Sequence, residues 1–397
     1  MNFEEMKRRL DGLAVFRELL KDGAVAAFRE LLQDCCRNDA DNFVSHCGEF
    51  ESLLFQQSDC WTAYLRRAVM ESENVCIRNW ASGAVTAVQE ECLNRELAFL
   101  DRLSQVTLDD LTAGLDHAPD FLVGWRTEGG SIAQDYRQRM QEVGEKGYGI
   151  FARYHMFTVE NGQLVPVKHP DPQQLEQLPG YEQERQKVIA NTQALLDGKP
   201  ANNVLLYGDA GTGKSSAIKA IANNFAEQGL RLVEVKKNQL YQIPDLMDAL
   251  AANPLKFILF IDDLSFTSND DNFAALKAIL EGSVGGRAQN IAVYATSNRR
   301  HLIKETMTDR NGDDIHESDT RQELMSLSAR FGLTVTFASP DRDRYLYIVG
   351  ELAKQYGVDL DEHTLAVRSE AFAIRMGGRS ARVAKQFIEL CKSGVQV

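Results

Sequence analysis

Residues 208–215 have the residue types and the spacing of a phosphate-binding loop, in which two glycines separated by four residues are followed by Lys and Ser. Glycines allow the backbone to turn where a Cβ atom would clash, so that successive N–H groups point at phosphate oxygens. The ammonium group of Lys214 would lie beside the terminal phosphates, and the hydroxyl group of Ser215 would bind Mg²⁺. The predicted phosphate contacts are Gly208, Asp209, Ala210, Gly211, Thr212, Gly213, Lys214, Ser215 and Ser216.

The residues on either side of this loop support the prediction. Residues 204–207 are a short apolar run that suits a buried strand, and residues 216–222 have the pattern of a helix. The N-terminus of that helix would face a bound anion and stabilise it. A glycine-rich turn without a ligand is the alternative, but it does not account for a strand and a helix on the correct sides. The three elements together predict a nucleotide site.

A pair of carboxylates follows a second apolar run, residues 257–261. A strand that ends in acids delivers them to the C-terminal edge of a parallel sheet, which is also where a phosphate-binding loop lies. We expect Asp262 to bind Mg²⁺, in part through water, and Asp263 to polarise the attacking water. One strand, residues 230–235, separates the loop from the acids in the sequence, which is the order expected when a further strand is inserted in the sheet.

Three further segments carry polar residues that would complete such a site. Asn298 follows the next predicted strand, where an amide could orient the water or contact the γ-phosphate; an ordinary turn is the alternative. Arg330 precedes the last strand and would not easily reach its own nucleotide, but it could act on the site of a neighbouring subunit. Arg379 and Arg382 are three residues apart and are therefore predicted to share one helix face. We favour Arg379 as the one that closes on the γ-phosphate, with solvated surface arginines as the alternative.

The elements that must position these residues alternate between strand and helix, which predicts a parallel sheet covered by helices. The predicted strands after the loop are residues 230–235, 256–262, 290–295 and 333–337, and the predicted helices are residues 181–196, 245–252, 272–281 and 322–329. Beyond Ser339 the strands stop. Three helical segments, residues 341–356, 361–375 and 378–393, are predicted to form a small lid.

The first part of the chain is predicted to be helical, because apolar residues recur at helical spacing through residues 1–145. The predicted helices include residues 50–72, 75–105 and 131–144, with N-caps near Thr107 and Ser131. The pattern assigns no chemistry to this region, and we interpret it as an adaptor domain.

Aromatic and β-forming residues dominate residues 148–157, and the Asn161-Gly162 pair predicts a hairpin turn that leads to residues 164–167. A proline-rich connector follows. The chain therefore divides into a helical N-terminal domain (1–145), a hairpin and connector (146–179), an α/β core (180–338) and a helical lid (339–397).

The bulk composition excludes several classes of protein. A net charge of −13 over 397 residues argues against binding of nucleic acid over a broad surface, because phosphate neutralisation needs a basic face. No apolar run is long enough for a membrane span, and the first residues carry acids rather than an apolar leader, so we expect a cytoplasmic protein. The seven cysteines form no Cys-x-x-Cys pair, which favours buried thiols over a disulfide framework or a zinc site.

This set of motifs, in this order, resembles the AAA+ ATPases over residues 180–397. The segments FILFIDDLSF, TSNRRHL, SLSARFG and GGRSARVAKQF are very similar to those of a bacterial family known only as a domain of unknown function. Residues 262–266 also resemble the acidic box of replication-initiator and helicase-loader ATPases. The resemblance implies a P-loop NTPase fold with a C-terminal lid and an ATP site, but no physiological role.

The resemblance also implies a role for each position. Lys214 and Ser215 would contact phosphates and Mg²⁺, and Asp262 and Asp263 would form the acidic box. The other implied positions are Asn298 as first sensor, Arg330 as a finger acting in trans, Arg379 as second sensor with Arg382 nearby, and Gly180 and Tyr181 beside the adenine. Many members of the superfamily have Glu in place of Asp263, so hydrolysis could be slow here.

Three functions are compatible with these residues. The first is a Mg²⁺-dependent ATPase that assembles with itself, as a ring or a helical array, and remodels or loads a macromolecule through a protein partner of the N-terminal domain. The alternative is a scaffold that binds ATP with little hydrolysis and changes its affinity for a partner. A P-loop kinase or GTPase is the third, although the sequence has no Asn-Lys-x-Asp motif for guanine.

Overall fold

A computed structural model describes residues 2–113, 115–116, 121–264, 272–281, 288–298 and 329–395. The chain divides into two compact units, Met1–Arg153 and Tyr154–Val397. None of the helices in the described ranges combines the length and the apolar character that are needed to cross a membrane.

The first unit is helical, and its core is a cluster of aromatic rings. Phe28 stacks on Trp61 at 4.8 Å, and the edge of Trp125 meets Phe50 at 4.6 Å. The helices are α1 (Phe3–Asp11), α2 (Gly23–Arg37), α3 (Ala40–Phe55), α4 (Trp61–Glu71), α5 (Val75–Trp80), α6 (Ala87–Leu103), α7 (Leu108–Thr112), α8 (Ile132–Gln141), α9 (Val143–Lys146) and α10 (Ile150–Arg153), with a 3-10 turn at Arg17–Lys21. The N-caps predicted at Thr107 and Ser131 are confirmed, since each side chain accepts a backbone N–H of its helix.

Three of the predicted helices are divided in the structure. One of them, residues 131–144, is interrupted only at Glu142, between α8 and α9. The other two are broken by longer segments. The segment 50–72 is broken before α4, where Cys60 pairs with Arg126 and the Trp61 N–H donates to the Arg126 carbonyl at 2.9 Å. The segment 75–105 is broken between α5 and α6, where Thr86 forms a capping box that starts α6. Helical periodicity alone does not reveal either break, because one depends on a residue far away in the sequence and the other on a cap.

The cysteines of the described structure are all free thiols. Cys35, Cys47, Cys60 and Cys76 are buried, whereas Cys36 is exposed. Burial raises the pKa of the Cys35 and Cys47 thiols to about 12, so both are protonated at neutral pH. The described residues contain no group of three or more His, Cys, Asp or Glu side chains that could hold a metal ion.

The described residues of the second unit form a seven-stranded sheet. Its strands are β1 (Met156–Glu160), β2 (Gln163–Pro166), β3 (Val204–Gly208), β4 (Leu230–Glu234), β5 (Lys256–Ile261), β6 (Ile291–Ser297) and β7 (Leu333–Phe337), in the spatial order β2-β1-β4-β5-β6-β3-β7. All neighbours are parallel except the β1–β2 pair. β5 and β6 are buried almost throughout, as expected for central strands covered on both faces.

Helices alternate with these strands along the sequence, and three more follow the last strand. They are α11 (Glu182–Leu196), α12 (Lys214–Phe225), α13 (Ile243–Ala251), α14 (Asn272–Glu281), α15 (Arg342–Tyr356), α16 (Glu362–Arg375) and α17 (Ala381–Lys392), with 3-10 turns at Leu175–Gln177, Ala226–Gln228 and Lys237–Gln242. The predicted helix 272–281 and the predicted strand 333–337 are confirmed. The predicted helix 322–329 lies almost entirely outside the described residues.

The hairpin predicted around Asn161-Gly162 is present, and it belongs to the sheet. Asn161 and Gly162 both have positive φ angles, 50° and 77°, as a two-residue hairpin turn requires. β1 pairs with β4, so the hairpin covers what would otherwise be an exposed sheet edge. The expectation that residues 148–157 are extended is wrong in its first half, because α10 occupies Ile150–Arg153 and β1 begins only at Met156.

Candidate functional site at the C-terminal edge of the sheet

The strand order brings the three predicted motifs to adjacent positions. β6 lies between β3 and β5, whereas β4 lies on the far side of β5. The inserted strand between the loop and the acids is therefore β6, which comes later in the sequence. The phosphate-binding loop follows β3, the acid pair follows β5, and Asn298 follows β6, so all three leave the same edge of a parallel sheet.

The loop between β3 and α12 requires glycines for two reasons: a close approach of another strand and backbone angles in the left-handed region. At Gly208 an added Cβ atom would lie 2.0 Å from the carbonyl oxygen of Phe337 in β7, so only glycine permits this close approach. Gly211 and Gly213 have φ angles of 78° and 92°, in the left-handed region. The loop then ends at Lys214, the first residue of α12, whose N-terminus faces the cavity described below.

The ammonium group of Lys214 is buried and folded against its own loop. Its Nζ donates to the carbonyl oxygens of Gly208 at 2.8 Å and Asp209 at 2.7 Å, and to Asn298 Oδ1 at 3.0 Å. Burial lowers the pKa of Lys214, and the neighbouring carboxylates oppose that effect. The loop lysine and the first-sensor candidate are thus in direct contact.

A chain of hydrogen bonds connects the loop to both acids. Ser215 Oγ donates to Asp262 Oδ1 at 2.6 Å, and Thr296 Oγ1 donates to the same oxygen at 2.5 Å. The Asp263 backbone N–H donates to Thr296 Oγ1 at 2.9 Å, and Asn298 Nδ2 donates to Asp263 Oδ1 at 2.9 Å. The loop serine, the acid pair and the polar end of β6 therefore form one network.

The sequence interpretation missed Thr296, which links both acids. A signal was present, since Thr296 has a hydroxyl group and lies two positions before Asn298, near the C-terminal end of the strand.

The loop also contacts the C-terminal helices. The Asp209 carboxylate accepts the backbone N–H and the hydroxyl of Ser339, at 2.9 Å and 2.6 Å, and these bonds hold the pKa of Asp209 below its ordinary value. The backbone N–H of Arg382 donates to the Gly211 carbonyl at 3.0 Å. The predicted lid is therefore anchored to the phosphate-binding loop at two points.

The expectation that Arg379 and Arg382 share a helix face is wrong. α17 is capped by Ser380 and begins at Ala381, so Arg379 precedes the helix and Arg382 lies in its first turn. Arg379 forms a two-fold ion pair with Glu370 of α16, at 2.8 Å and 2.6 Å. Arg382 is part of the wall of the cavity.

Gly180 and Tyr181 immediately precede α11, which begins at Glu182, one residue later than predicted. Both have left-handed φ angles, 78° and 61°, and a Cβ atom at Gly180 would lie 2.8 Å from Ile348 of α15. The Tyr181 ring stacks on Phe337 at 5.2 Å, and its hydroxyl donates to the Ala338 carbonyl at 2.7 Å. Burial raises the pKa of Tyr181 to about 12, so the phenol remains neutral.

These groups surround a cavity of about 1080 Å³, which is large enough for a nucleotide. One part of its wall has the polar groups of the phosphate-binding loop, and another part has residues of the proline-rich connector and of α15. The wall includes Ala210, Gly211, Thr212, Gly213, Lys214, Ser215, Ser216, Asp262, Asp263, Thr296 and Asn298 in the first part, and Gln177, Leu178, Pro179, Tyr181, Arg185, Ile348 and Leu352 in the second.

Arg330 lies elsewhere in this unit. It precedes β7, whose five residues span about 16 Å, and the cavity lies beyond the opposite end of the parallel strands. Arg330 is not part of the described cavity wall.

The oxygen atoms near Ser215 fit a magnesium ion. Mg²⁺ prefers oxygen ligands, usually one or two carboxylates together with substrate phosphates. The hydroxyl of Ser215 and the carboxylate of Asp262 are already in contact at 2.6 Å, and the loop with its phosphate-binding pattern is adjacent. These two residues would hold the ion.

Comparison with known protein families identifies the family of this chain. The family described as "Protein of unknown function (DUF815)" matches residues 151–395, well over half of the chain. The chain belongs to this family. The described strand order, the loop after β3 and the C-terminal helices confirm the predicted AAA+ P-loop fold with a helical N-terminal unit.

Similar solved structures include two RuvB variants from Thermotoga maritima. The first is 16% identical, with a TM-score of 0.37; the match covers 56% of this chain and 66% of that RuvB chain. The second has the same identity and TM-score, with 54% and 63% coverage. The FIGL-1 AAA domain in complex with ADP is 18% identical, with a TM-score of 0.39 and coverages of 55% and 72%. No curated protein matches the chain.

Proposed function

We propose that this protein binds ATP with Mg²⁺ in the cavity at the sheet edge and hydrolyses it. The observation that carries the proposal is the hydrogen-bonded network that joins the phosphate-binding loop to the acid pair and to the end of β6. A phosphate-binding loop alone indicates only that a phosphate group binds. Here Asp262 and Asn298 contact the loop, and Asp263 is connected to it through Asn298. Two carboxylates and a polar sensor are the additional parts that hydrolysis needs.

Each residue has a distinct proposed role. Lys214 contacts the terminal phosphates, and Ser215 and Asp262 hold Mg²⁺, which would neutralise developing charge on the phosphate oxygens. Asp263 polarises the attacking water, and Asn298 orients it. The neutral Tyr181 and the apolar side chains of α15 would receive the base, since the connector part of the cavity wall combines apolar and amide side chains.

The active form is proposed to be a homo-oligomer, either a ring or a helical array. Arg330 supports this arrangement because it lies at the edge of the sheet opposite the cavity, where it can serve a neighbouring subunit rather than its own site. The N-terminal helical unit would recruit the protein partner that the ATPase remodels or loads.

A scaffold that binds ATP with little hydrolysis is the second candidate. The observation that favours it is the short carboxylate of Asp263, which already accepts a hydrogen bond from Asn298 and has one methylene group less than the Glu of many AAA+ ATPases. Such a protein would close on ATP and change its affinity for a partner without rapid turnover.

Nucleotide binding is tested by titration with a fluorescent ATP analogue. We expect Lys214→Ala to abolish binding, whereas Lys219→Ala on the same helix is the matched control, because Lys219 faces Glu234 at 3.5 Å and not the cavity. Equal binding by wild type and Lys214→Ala would contradict the proposed site.

Turnover separates the two candidates. ATP hydrolysis is measured against protein concentration for wild type and Asp263→Asn. A rate of about 1 s⁻¹ or more that rises with concentration supports the assembled ATPase. Tight ATP binding with no turnover above the level of Asp263→Asn supports the scaffold instead.

A further inference from the structure

The side chain of Thr296 lies between the two acids and contacts the turn that carries them. Thr296 is 1% exposed and lies near the end of β6. Its hydroxyl contacts Asp262 and Asp263 at 2.5 Å and 2.9 Å, and its carbonyl oxygen accepts the backbone N–H of Leu264 at 2.7 Å. One residue of β6 thus contacts three consecutive residues after β5.

The direction of each bond follows from the groups involved. A hydroxyl has one proton, and here it is donated to Asp262, so a lone pair accepts the Asp263 N–H. Asp262 Oδ1 also accepts Ser215 Oγ. The Asp263 N–H is a third donor to this oxygen, at 3.1 Å. Because an ionised carboxylate has about four acceptor sites, these three donors orient Asp262 and still leave capacity for a cation.

The backbone of Asp263 depends on the same hydroxyl. Its φ angle is 50°, in the left-handed region that non-glycine residues rarely adopt and that surrounding contacts must maintain. In this conformation the carboxylate of Asp263 meets Asn298 Nδ2 at 2.9 Å. Loss of the hydroxyl would remove one acceptor of the Asp263 N–H and allow the turn to relax.

We propose that Thr296 is a positioning residue that orients Asp262 toward the metal and fixes Asp263 beside Asn298, a role that rests on the proposed Mg²⁺-dependent ATP site. It touches neither nucleotide nor metal in this proposal. It acts through the two carboxylates, as residues behind metal ligands do in other sites. Its removal therefore affects metal dependence and turnover more than the affinity for nucleotide without metal.

The test compares Thr296→Val, which keeps the β-branched shape and removes the hydroxyl, with Thr296→Ser, which keeps the hydroxyl. Thr334→Val is the matched control, because Thr334 is an exposed residue of β7 opposite Leu205 and outside the cavity. The affinity for a fluorescent ATP analogue is titrated with and without Mg²⁺, the Mg²⁺ midpoint is determined, and kcat and KM are measured. Circular dichroism and thermal melting check folding.

We expect Thr296→Val to raise the Mg²⁺ midpoint about tenfold or more and to lower kcat by a similar factor, with analogue affinity in EDTA unchanged. Thr296→Ser and Thr334→Val should retain the wild-type midpoint. A Thr296→Val variant with the wild-type midpoint and kcat, or a Ser variant as impaired as Val, overturns the positioning role of Thr296 and leaves the proposed function intact. A wild-type protein whose nucleotide affinity does not respond to Mg²⁺ overturns the proposed function and this role with it.

Discussion

The carboxylate of Asp209 in the phosphate-binding loop accepts two hydrogen bonds from Ser339, the second residue after β7. One comes from the backbone N–H and one from the hydroxyl. Ser339 precedes α15, the first helix of the lid, so these bonds connect the loop to the segment from which the lid starts. A change in the loop on nucleotide binding would therefore reach the lid directly.

Removal of the Ser339 hydroxyl should weaken this connection. We expect Ser339→Ala to lower stability by about 1 kcal/mol or less, because the pair is exposed and solvent screens it. That loss corresponds to a fall in Tm of about 2–4 °C at most. Thermal melts of wild type and variant, with Ser393→Ala as an exposed control, provide the measurement.

The same pair predicts a pH dependence with a defined sign. Hydrogen bonds from Ser339 depress the pKa of Asp209 in the folded protein, so the unfolded chain binds this proton more readily. The contribution of this interaction to the free energy of unfolding is complete above the ordinary carboxyl pKa. It is lost as the pH falls through the lowered pKa of the folded protein. The Tm difference between wild type and Ser339→Ala should be constant from pH 7 to 5 and shrink in more acidic buffer. A Tm difference that increases on acidification would contradict a lowered pKa of Asp209.

The two lid arginines should have separable effects. Arg382 is part of the cavity wall, and its removal should weaken ATP binding about 10- to 100-fold with a smaller effect on ADP, on the scale of a hydrogen bond to a charged group. Arg379 is paired with Glu370, so Arg379→Ala should lower the Tm while the ratio of ATP to ADP affinity stays near the wild-type value. Calorimetric titrations with both nucleotides measure these ratios, and Glu370→Gln should reproduce the Arg379→Ala phenotype. The reverse pattern would assign the sensor role to Arg379.

Arg330 is tested by mixing two inactive variants. Arg330→Ala keeps its own nucleotide site, and Lys214→Ala keeps its own Arg330. If the arginine acts in trans, a mixed oligomer contains some intact sites, and the mixture should recover up to about a quarter of wild-type turnover when assembly is random. Steady-state ATP hydrolysis at several mixing ratios measures the recovery. No recovery, although the variants co-assemble in a pull-down, would indicate that Arg330 acts within its own subunit or not at all.

Gly208 should not tolerate a side chain. A Cβ atom there would lie 2.0 Å from the Phe337 carbonyl oxygen. The backbone of β3 fixes the position of the Cβ atom, and the oxygen belongs to the backbone of the paired strand β7, so neither can move easily. We expect Gly208→Ala to destabilise the protein by more than about 1 kcal/mol. Gly350→Ala in α15 is the control, since its Cβ atom meets nothing within 4 Å and Ala favours a helix. Urea unfolding of both variants gives the comparison.

Local sequence patterns predicted the elements whose limits are set locally. The strand 333–337 and the helix 272–281 were predicted with their actual bounds. The split of the segment 50–72 at Cys60 was not predictable in the same way, because it depends on pairing with Arg126, 66 positions later in the numbering. Periodicity does not report contacts between distant segments.

In the candidate site, too, some features follow from local sequence and others depend on the fold. The position of the loop between β3 and α12 follows from residue types and spacing, and the position of the acid pair follows from the apolar strand before it. The separation of Arg379 from Arg382 follows instead from the cap at Ser380, which starts α17 between them. A three-residue spacing implies a shared face only when both residues lie within the helix. Likewise, the role of Thr296 depends on β6 lying beside β5, which is a property of the sheet order.

The hairpin at the sheet edge determines where a recombinant fragment of the α/β core should begin. β1 supplies partners for β4, and the Leu232 N–H donates to the His155 carbonyl at 2.8 Å. A fragment that began at Gly180 would lose β1 and β2 and leave the backbone groups of β4 open, and an uncovered strand of this kind pairs with other chains. A fragment that begins at Tyr154 retains both strands, so it should remain in solution where the shorter one aggregates.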